Sequence, residues 1–137
     1  MTEKKKVLFI CENNSVRSQM AEAFLNHLYG EKYEGYSTGI KATNVNPHAI
    51  KVMAEIGIDM SKQHSKDISK YAGNEFDYVV TVCDEAREKC PFFPGKIVLH
   101  KRFDNPLEFK GSDEEVINKF RRLRDEIKEW IDKMFGD

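Results

Sequence analysis

Val7-Leu8-Phe9-Ile10-Cys11-Glu12-Asn13-Asn14-Ser15-Val16-Arg17-Ser18-Gln19-Met20-Ala21-Glu22 reads as a strand, a tight loop and a helix. The first four residues are an unbroken apolar run of β-formers, the pattern of a strand buried on both faces. The last four open a helix-forming stretch that continues through Ala23-Phe24-Leu25 to Leu28. The polar loop between them begins with Cys and ends with Arg-Ser. Such geometry aims backbone N–H groups at one spot, and the helix N-terminus adds roughly half a positive charge there.

A cup of this kind suits a tetrahedral oxyanion. Glu12, Asn13, Asn14, Ser15, Val16 and Arg17 would form its wall, with Cys11 at the edge and Arg17 six positions on, a C-x5-R spacing. The N–H donors and the guanidinium both stabilise a thiolate. Arg17 also offers a planar fork for a bidentate grip on the anion. Ser18 is placed to cap the helix or to donate to the Cys11 sulfur. One stretch thus supplies a nucleophile and an oxyanion receptor. The plain alternative, a core cysteine and a surface arginine, does not explain why Asn, Asn, Ser, Arg and Ser crowd one turn.

At 137 residues the chain is long enough for one domain with a real core, expected over 1–137, and too short for two. A formal net charge of −1 gives no global pull toward nucleic acid or membrane. Lys4-Lys5-Lys6 reads as a solubilising flank before a strand. No apolar stretch approaches the roughly 20 residues of a membrane span, and no signal-peptide pattern precedes Val7. A cytoplasmic protein is therefore expected, and a monomer is the simplest expectation for its assembly. Three cysteines are too few for a disulfide scaffold, so they point to reactive or metal-binding thiols.

Beyond the first helix, Tyr29-Gly30 suits a C-cap, and Gly35 to Gly39 reads as a second strand. Asn46-Pro47 is an N-cap followed by proline at the first helical position, with a helix through Ile56 that stops at Gly57. Residues 59–72 are polar, with a short helix around Asp67 to Tyr71. Phe76 to Val82 is a strand, and Cys83 sits directly past its end. Asp84 to Lys89 is helix-compatible, and Cys90-Pro91 breaks it. Lys96 to His100 is a fourth strand, and Phe103 to Phe109 a loop. Ser112-Asp113-Glu114-Glu115 resembles a capping box, followed by a helical stripe of Val116, Phe120, Leu123, Ile127, Trp130, Ile131 and Met134. Alternation of strands and helices predicts an α/β fold, a single-domain, four-stranded parallel sheet with helices on both faces. Ligands of such sheets bind beyond the strands' carboxyl ends, where Cys11 and Cys83 both fall. If their strands are neighbours, the two sulfurs share one rim.

Cys11 to Glu22, Val45-Asn46-Pro47, Val79 to Pro91, Phe103 to Pro106 and Arg124 to Ile127 together resemble the thioredoxin-coupled arsenate reductases, which are built on the low-molecular-weight protein tyrosine phosphatase fold. The C-x5-R-S loop is shared with the phosphatases, whereas the Cys83 and Cys90 pair is specific to the reductases. The resemblance implies a three-thiol relay. Cys11 attacks arsenate, Cys83 then attacks Cys11 and expels arsenite, and Cys90 attacks Cys83, leaving a Cys83–Cys90 disulfide for thioredoxin or a similar dithiol to reduce. Catalytic roles follow for Cys11, Arg17, Ser18, Cys83, Cys90 and Asp104. Phosphate or sulfate would compete as oxyanions, and neither a cofactor nor a metal is implied. If residues 83–90 are helical when reduced, their ends lie about 10 Å apart. A disulfide tolerates at most about 7 Å between Cα atoms, so oxidation should unwind the segment.

Three departures from the family pattern matter. The phosphatase acid is an Asp directly before Pro, and here Asn105 holds that place, with Asp104 one residue earlier. Asn has no titratable proton, which argues against efficient phosphatase activity. Asn13 stands where glycine is common, and asparagine tolerates the left-handed conformation that the loop would need there. Finally, some reductases bind potassium through equivalents of Asn14, Glu22, Ser37 and a downstream Asp, for which this chain has Lys66. A lysine ammonium there replaces the cation and predicts potassium independence. The alternatives are a low-molecular-weight phosphatase, a non-catalytic oxyanion-binding or redox-sensing module, ordinary cysteines at 83 and 90, and a metal site of Cys83, Cys90 and His100. The last has neither tight zinc-knuckle spacing nor an obvious fourth ligand.

Overall fold

The computed structural model describes residues 3–84 and 93–136. Four strands, β1 (Lys5–Cys11), β2 (Tyr33–Gly39), β3 (Tyr78–Thr81) and β4 (Ile97–His100), form one parallel sheet in the order β2-β1-β3-β4. Three α-helices, α1 (Arg17–Tyr29), α2 (Pro47–Ala54) and α3 (Asp113–Phe135), and two 3₁₀ helices, Ile68–Tyr71 and Pro106–Glu108, connect and cover it.

The unbroken apolar run places β1 at the centre. Val7 to Ile10 are fully buried because each face of the strand meets a different core. Val7 and Phe9, with Val80 and Val82, pack against Met20, Phe24 and Leu25 of α1, Val52 and Met53 of α2, and the inner stripe of α3. Leu8, Ile10 and Val79 meet Tyr71, Phe76 and Phe93 on the other face, beside the first 3₁₀ helix. Helices thus cover both faces, the three α-helices on one and the 3₁₀ helix on the other. Each fully buried side chain of this size contributes about 1.5–3 kcal/mol.

Strand ends differ from the sequence reading where pairing, not composition, decides. β1 begins at Lys5 because Lys5 and Lys6 pair with Tyr33 and Glu34, which also starts β2 before Gly35. β3 is shorter than expected: Asp77 lies outside it and accepts the Lys6 N–H at 2.8 Å. On α3 the buried positions are Ile117, Phe120, Leu123, Ile127, Ile131 and Phe135. Ile117 and Phe135 are buried in addition to the expected stripe, Val116 and Trp130 are partly buried and pack against the same core, and Met134 is exposed. Both reciprocal bonds of the Ser112–Glu115 capping box form at 3.2 Å. Asn46 caps α2 by accepting the His48 N–H at 2.8 Å. Among the described residues no helix is long and apolar enough to cross a membrane.

Candidate active site

β1 and β3 are direct neighbours, so the condition for a shared rim is met. Val82 N–H donates to Ile10 O at 2.8 Å and carries the pairing to the sheet edge, with Cys11 ending β1 and Cys83 following Val82. Adjacent strands lie about 4.8 Å apart. Cys11 is a free thiol, 2% exposed. Cys83 is fully buried and disulfide-bonded. Cys90 lies outside the described residues, as does the predicted unwinding between the two.

The loop after Cys11 is held from behind by its carbonyls. Glu12 O accepts from Ile40 N–H at 2.8 Å, and Ser15 O from Asn46 N–H at 3.1 Å. Asn13 O accepts from the Thr43 hydroxyl at 2.9 Å and the Ser65 hydroxyl at 3.2 Å. Asn14 O accepts from the Gln19 amide at 3.1 Å. Four successive carbonyls are thereby turned outward. The N–H groups of a turn whose carbonyls face out can form an anion-binding concavity, and these bonds hold the loop in that conformation.

The left-handed residue of this loop is Asn14, with φ of 49°, and not Asn13. A non-glycine residue there costs about 1–2 kcal/mol. Asn14 offsets it with a fully buried side chain whose Oδ1 accepts from Lys66 N–H at 2.7 Å and Gln19 Nε2 at 2.9 Å. A backbone N–H can only donate, so the amide's orientation is fixed: Nδ2 faces Ser18 and donates to its Oγ at 2.8 Å. That leaves the Ser18 hydroxyl hydrogen for the Cys11 sulfur, 2.9 Å away. Ser18 does not cap α1; the N-cap is Val16, without a side-chain bond, and Ser18 lies within the first turn. From there its hydroxyl reaches the sulfur directly.

Arg17 is 3% exposed and donates from Nη1 to Phe103 O at 3.5 Å, tying the guanidinium to the β4–α3 connection. Asn14, Glu22, Ser37 and Lys66 form one cluster, as their proposed common role requires. Lys66 Nζ stands 3.6 Å from Glu22 Oε1 and donates to His64 O at 2.7 Å, and the Ser37 hydroxyl donates to Glu22 at 2.7 Å. Burial pushes the Glu22 carboxyl up and the Lys66 ammonium down, and their mutual attraction opposes both.

Asp104 is largely exposed and pairs with Arg102 at 3.2 Å. Asn105 is buried and caps the second 3₁₀ helix, its Oδ1 accepting from Leu107 N–H at 3.0 Å. The residue in the acid's usual place therefore has a structural task. His100 stands against Thr81, with Nδ1 2.6 Å from its Oγ1.

Gln19, Thr43, Ser65 and Gly39 escaped the sequence reading. A glycine closing a strand is a sign of close backbone approach, and a Cβ on Gly39 would stand 2.7 Å from Asn14 N and Glu12 O. Gln19 is a polar residue on a helix face that is otherwise core, and it is fully buried. Thr43 and Ser65 carry no signal in one sequence.

Residues 6–136 match the family pattern of the low molecular weight phosphotyrosine protein phosphatases. The arsenate reductase of Halalkalibacterium halodurans is 46% identical over 125 residues, 90% of each chain. A solved arsenate reductase in its phosphate-binding state superposes with a TM-score of 0.78 at 31% identity, covering 96% of this chain and 97% of the other. A thioredoxin-dependent arsenate reductase of Corynebacterium glutamicum gives 0.63 at 29% identity, covering 96% of this chain and 64% of that one.

Proposed function

The chain belongs to the low molecular weight phosphotyrosine protein phosphatase family, and from that premise we propose that it reduces arsenate to arsenite by a thiol relay. The observation that carries this reading is a buried free Cys11 inside an anion cradle, on the strand next to the one that leads to a second, disulfide-bonded cysteine. The similarity to arsenate reductases over nine-tenths of the chain supports the substrate. A cradle of amides with Arg17 accepts phosphate or sulfate as competing anions.

Cys11 thiolate displaces one arsenate oxygen, which leaves as water after protonation, and an S–As bond forms. Asp104 is the proposed proton donor, after its loop releases the Arg102 pair. Cys83 thiolate then attacks the Cys11 sulfur. The S–As electron pair passes to arsenic, reducing it by two electrons, and arsenite departs as the Cys11–Cys83 disulfide forms. Cys90 attacks Cys83 and frees Cys11 as thiolate. A thioredoxin-like dithiol reduces the Cys83–Cys90 bond; similarity to a thioredoxin-dependent reductase supports that partner. A cytoplasmic, monomeric protein suits this chemistry, since a reducing compartment supplies the dithiol. Loss of an acid at Asn105 disfavours the phosphatase alternative, because an ester leaving group needs general acid help worth about 10²–10⁴-fold.

Thiol counting tests the reading. One equivalent of arsenate added to fully reduced protein, without reductant, should lower the titratable thiols from three to one, and added thioredoxin should restore them. Three surviving thiols would leave a binding module or a phosphatase.

The Lys66–Glu22 pair carries a second expectation. An ammonium already neutralises Glu22 where a cation would sit, so exchanging sodium for potassium should leave steady-state turnover unchanged within about twofold. A clear rise with potassium in that assay would show that the lysine does not substitute for the ion.

A further inference from the structure

We propose that Arg102 is a positioning residue for the second thiol of this relay, acting through Asp84. Asp84 follows Cys83 directly, and its carboxylate is fully buried at the rim beside β3. Arg102 lies two residues past β4, the strand that pairs with β3. Its Nε donates to Asp84 Oδ1 at 3.3 Å and its Nη2 to Oδ2 at 3.1 Å. This two-point fork clasps the end of one strand to the end of its neighbour, and Lys101 N–H to Thr81 O at 2.8 Å backs it.

The burial is asymmetric. The Asp84 side chain is 0% exposed and that of Arg102 54%. A buried carboxylate stripped of its partner is strongly unfavourable, so the carboxylate stays seated under the guanidinium. The proposed relay needs the Cys83 sulfur to change partners twice. Asp84, one residue away, provides the fixed point from which that side chain turns, so the attack on Cys11 starts from a defined geometry. The third Arg102 nitrogen, Nη1, meets Asp104, but both of those side chains are largely exposed and the pair is weak.

This inference rests on the relay reading, and the test separates the two. Reduced protein carrying Cys90→Ser is mixed with arsenate, and the rate of Cys11–Cys83 disulfide formation is followed by quenched thiol counting. Arg102→Ala and Asp84→Asn should each slow the step about tenfold or more, with the half-saturating arsenate concentration unchanged. Their double variant should be no slower than either alone. Arg102→Lys, which keeps the charge and loses the fork, should fall between; it serves as the measurement if Arg102→Ala does not fold. Equal rates for the Arg102 variants and the parent, or additivity with Asp84→Asn, would each overturn the assignment. No thiol loss in the Cys90→Ser parent would instead sink the relay.

Discussion

Replacing Cys90 by serine should turn the protein into a single-use reagent: one arsenite released per molecule, then no further turnover with thioredoxin present. The reason is access. Thiol–disulfide exchange requires the attacking sulfur to reach its target in line with the bond that breaks. Cys11 is 2% exposed and Cys83 0% exposed, so a disulfide between them lies beneath the rim, out of reach of a folded dithiol protein. A third thiol is needed to take the oxidation to a place the reductant can touch. The check is a rapid-mix burst followed by a steady-state assay. The burst should match the enzyme concentration, and the following rate should drop by about 10²-fold or more relative to the parent. Non-reducing mapping should then find Cys11 joined to Cys83. Sustained turnover near the parent rate would show that the reductant reaches Cys83 directly.

Gly39→Ala should be nearly as damaging, although residue 39 has no side chain and no chemistry. The added Cβ would lie 2.7 Å from Asn14 N and Glu12 O and 3.0 Å from Asn13 C, all backbone atoms of the loop. They cannot swing aside as a side-chain tip can. Gly39 itself is fixed by pairing with Cys11 and by its N–H bond to Lys66 O at 3.0 Å. The loop must therefore shift, and its amides lose their common focus. A misplacement of about 1 Å costs on the order of 10²-fold in rate, and overpacking costs about 1–3 kcal/mol of stability. Kinetics and thermal melting of the same sample separate the two. Gly57→Ala is the matched control: at φ of 83° with nothing within 4 Å, it should lose stability and keep activity. A Gly39→Ala enzyme with parent kinetics would mean that the loop tolerates displacement.

The strand, loop and helix of residues 7–22 were readable because a continuous apolar run, a polar turn and a helix former each have one dominant structural meaning, and the parallel sheet followed from the alternation of strands and helices along the chain. The neighbouring of β1 and β3 was only conditional in the sequence, since strand order depends on contacts between residues far apart in the chain. The left-handed position was placed one residue early for a related reason. Backbone strain settles where the fold can supply compensating bonds, and Lys66 and Gln19 supply them to Asn14. The outer supports, Thr43 and Ser65, are ordinary loop residues until folding brings them behind Asn13. The Lys66–Glu22 pair was legible because a charge reversal at one position of a motif has few consistent explanations.

The outward-turned carbonyls of residues 12–15 have a consequence for how the protein tells one anion from another. Converging amide hydrogens and a guanidinium measure outline and charge, and arsenate shares both with phosphate, its far more abundant mimic. Discrimination cannot therefore reside in recognition. In the proposed relay it falls to the moment when the bond from sulfur breaks: arsenic would accept the electron pair and leave, whereas phosphorus in the same seat would not, so the mimic would be released unchanged.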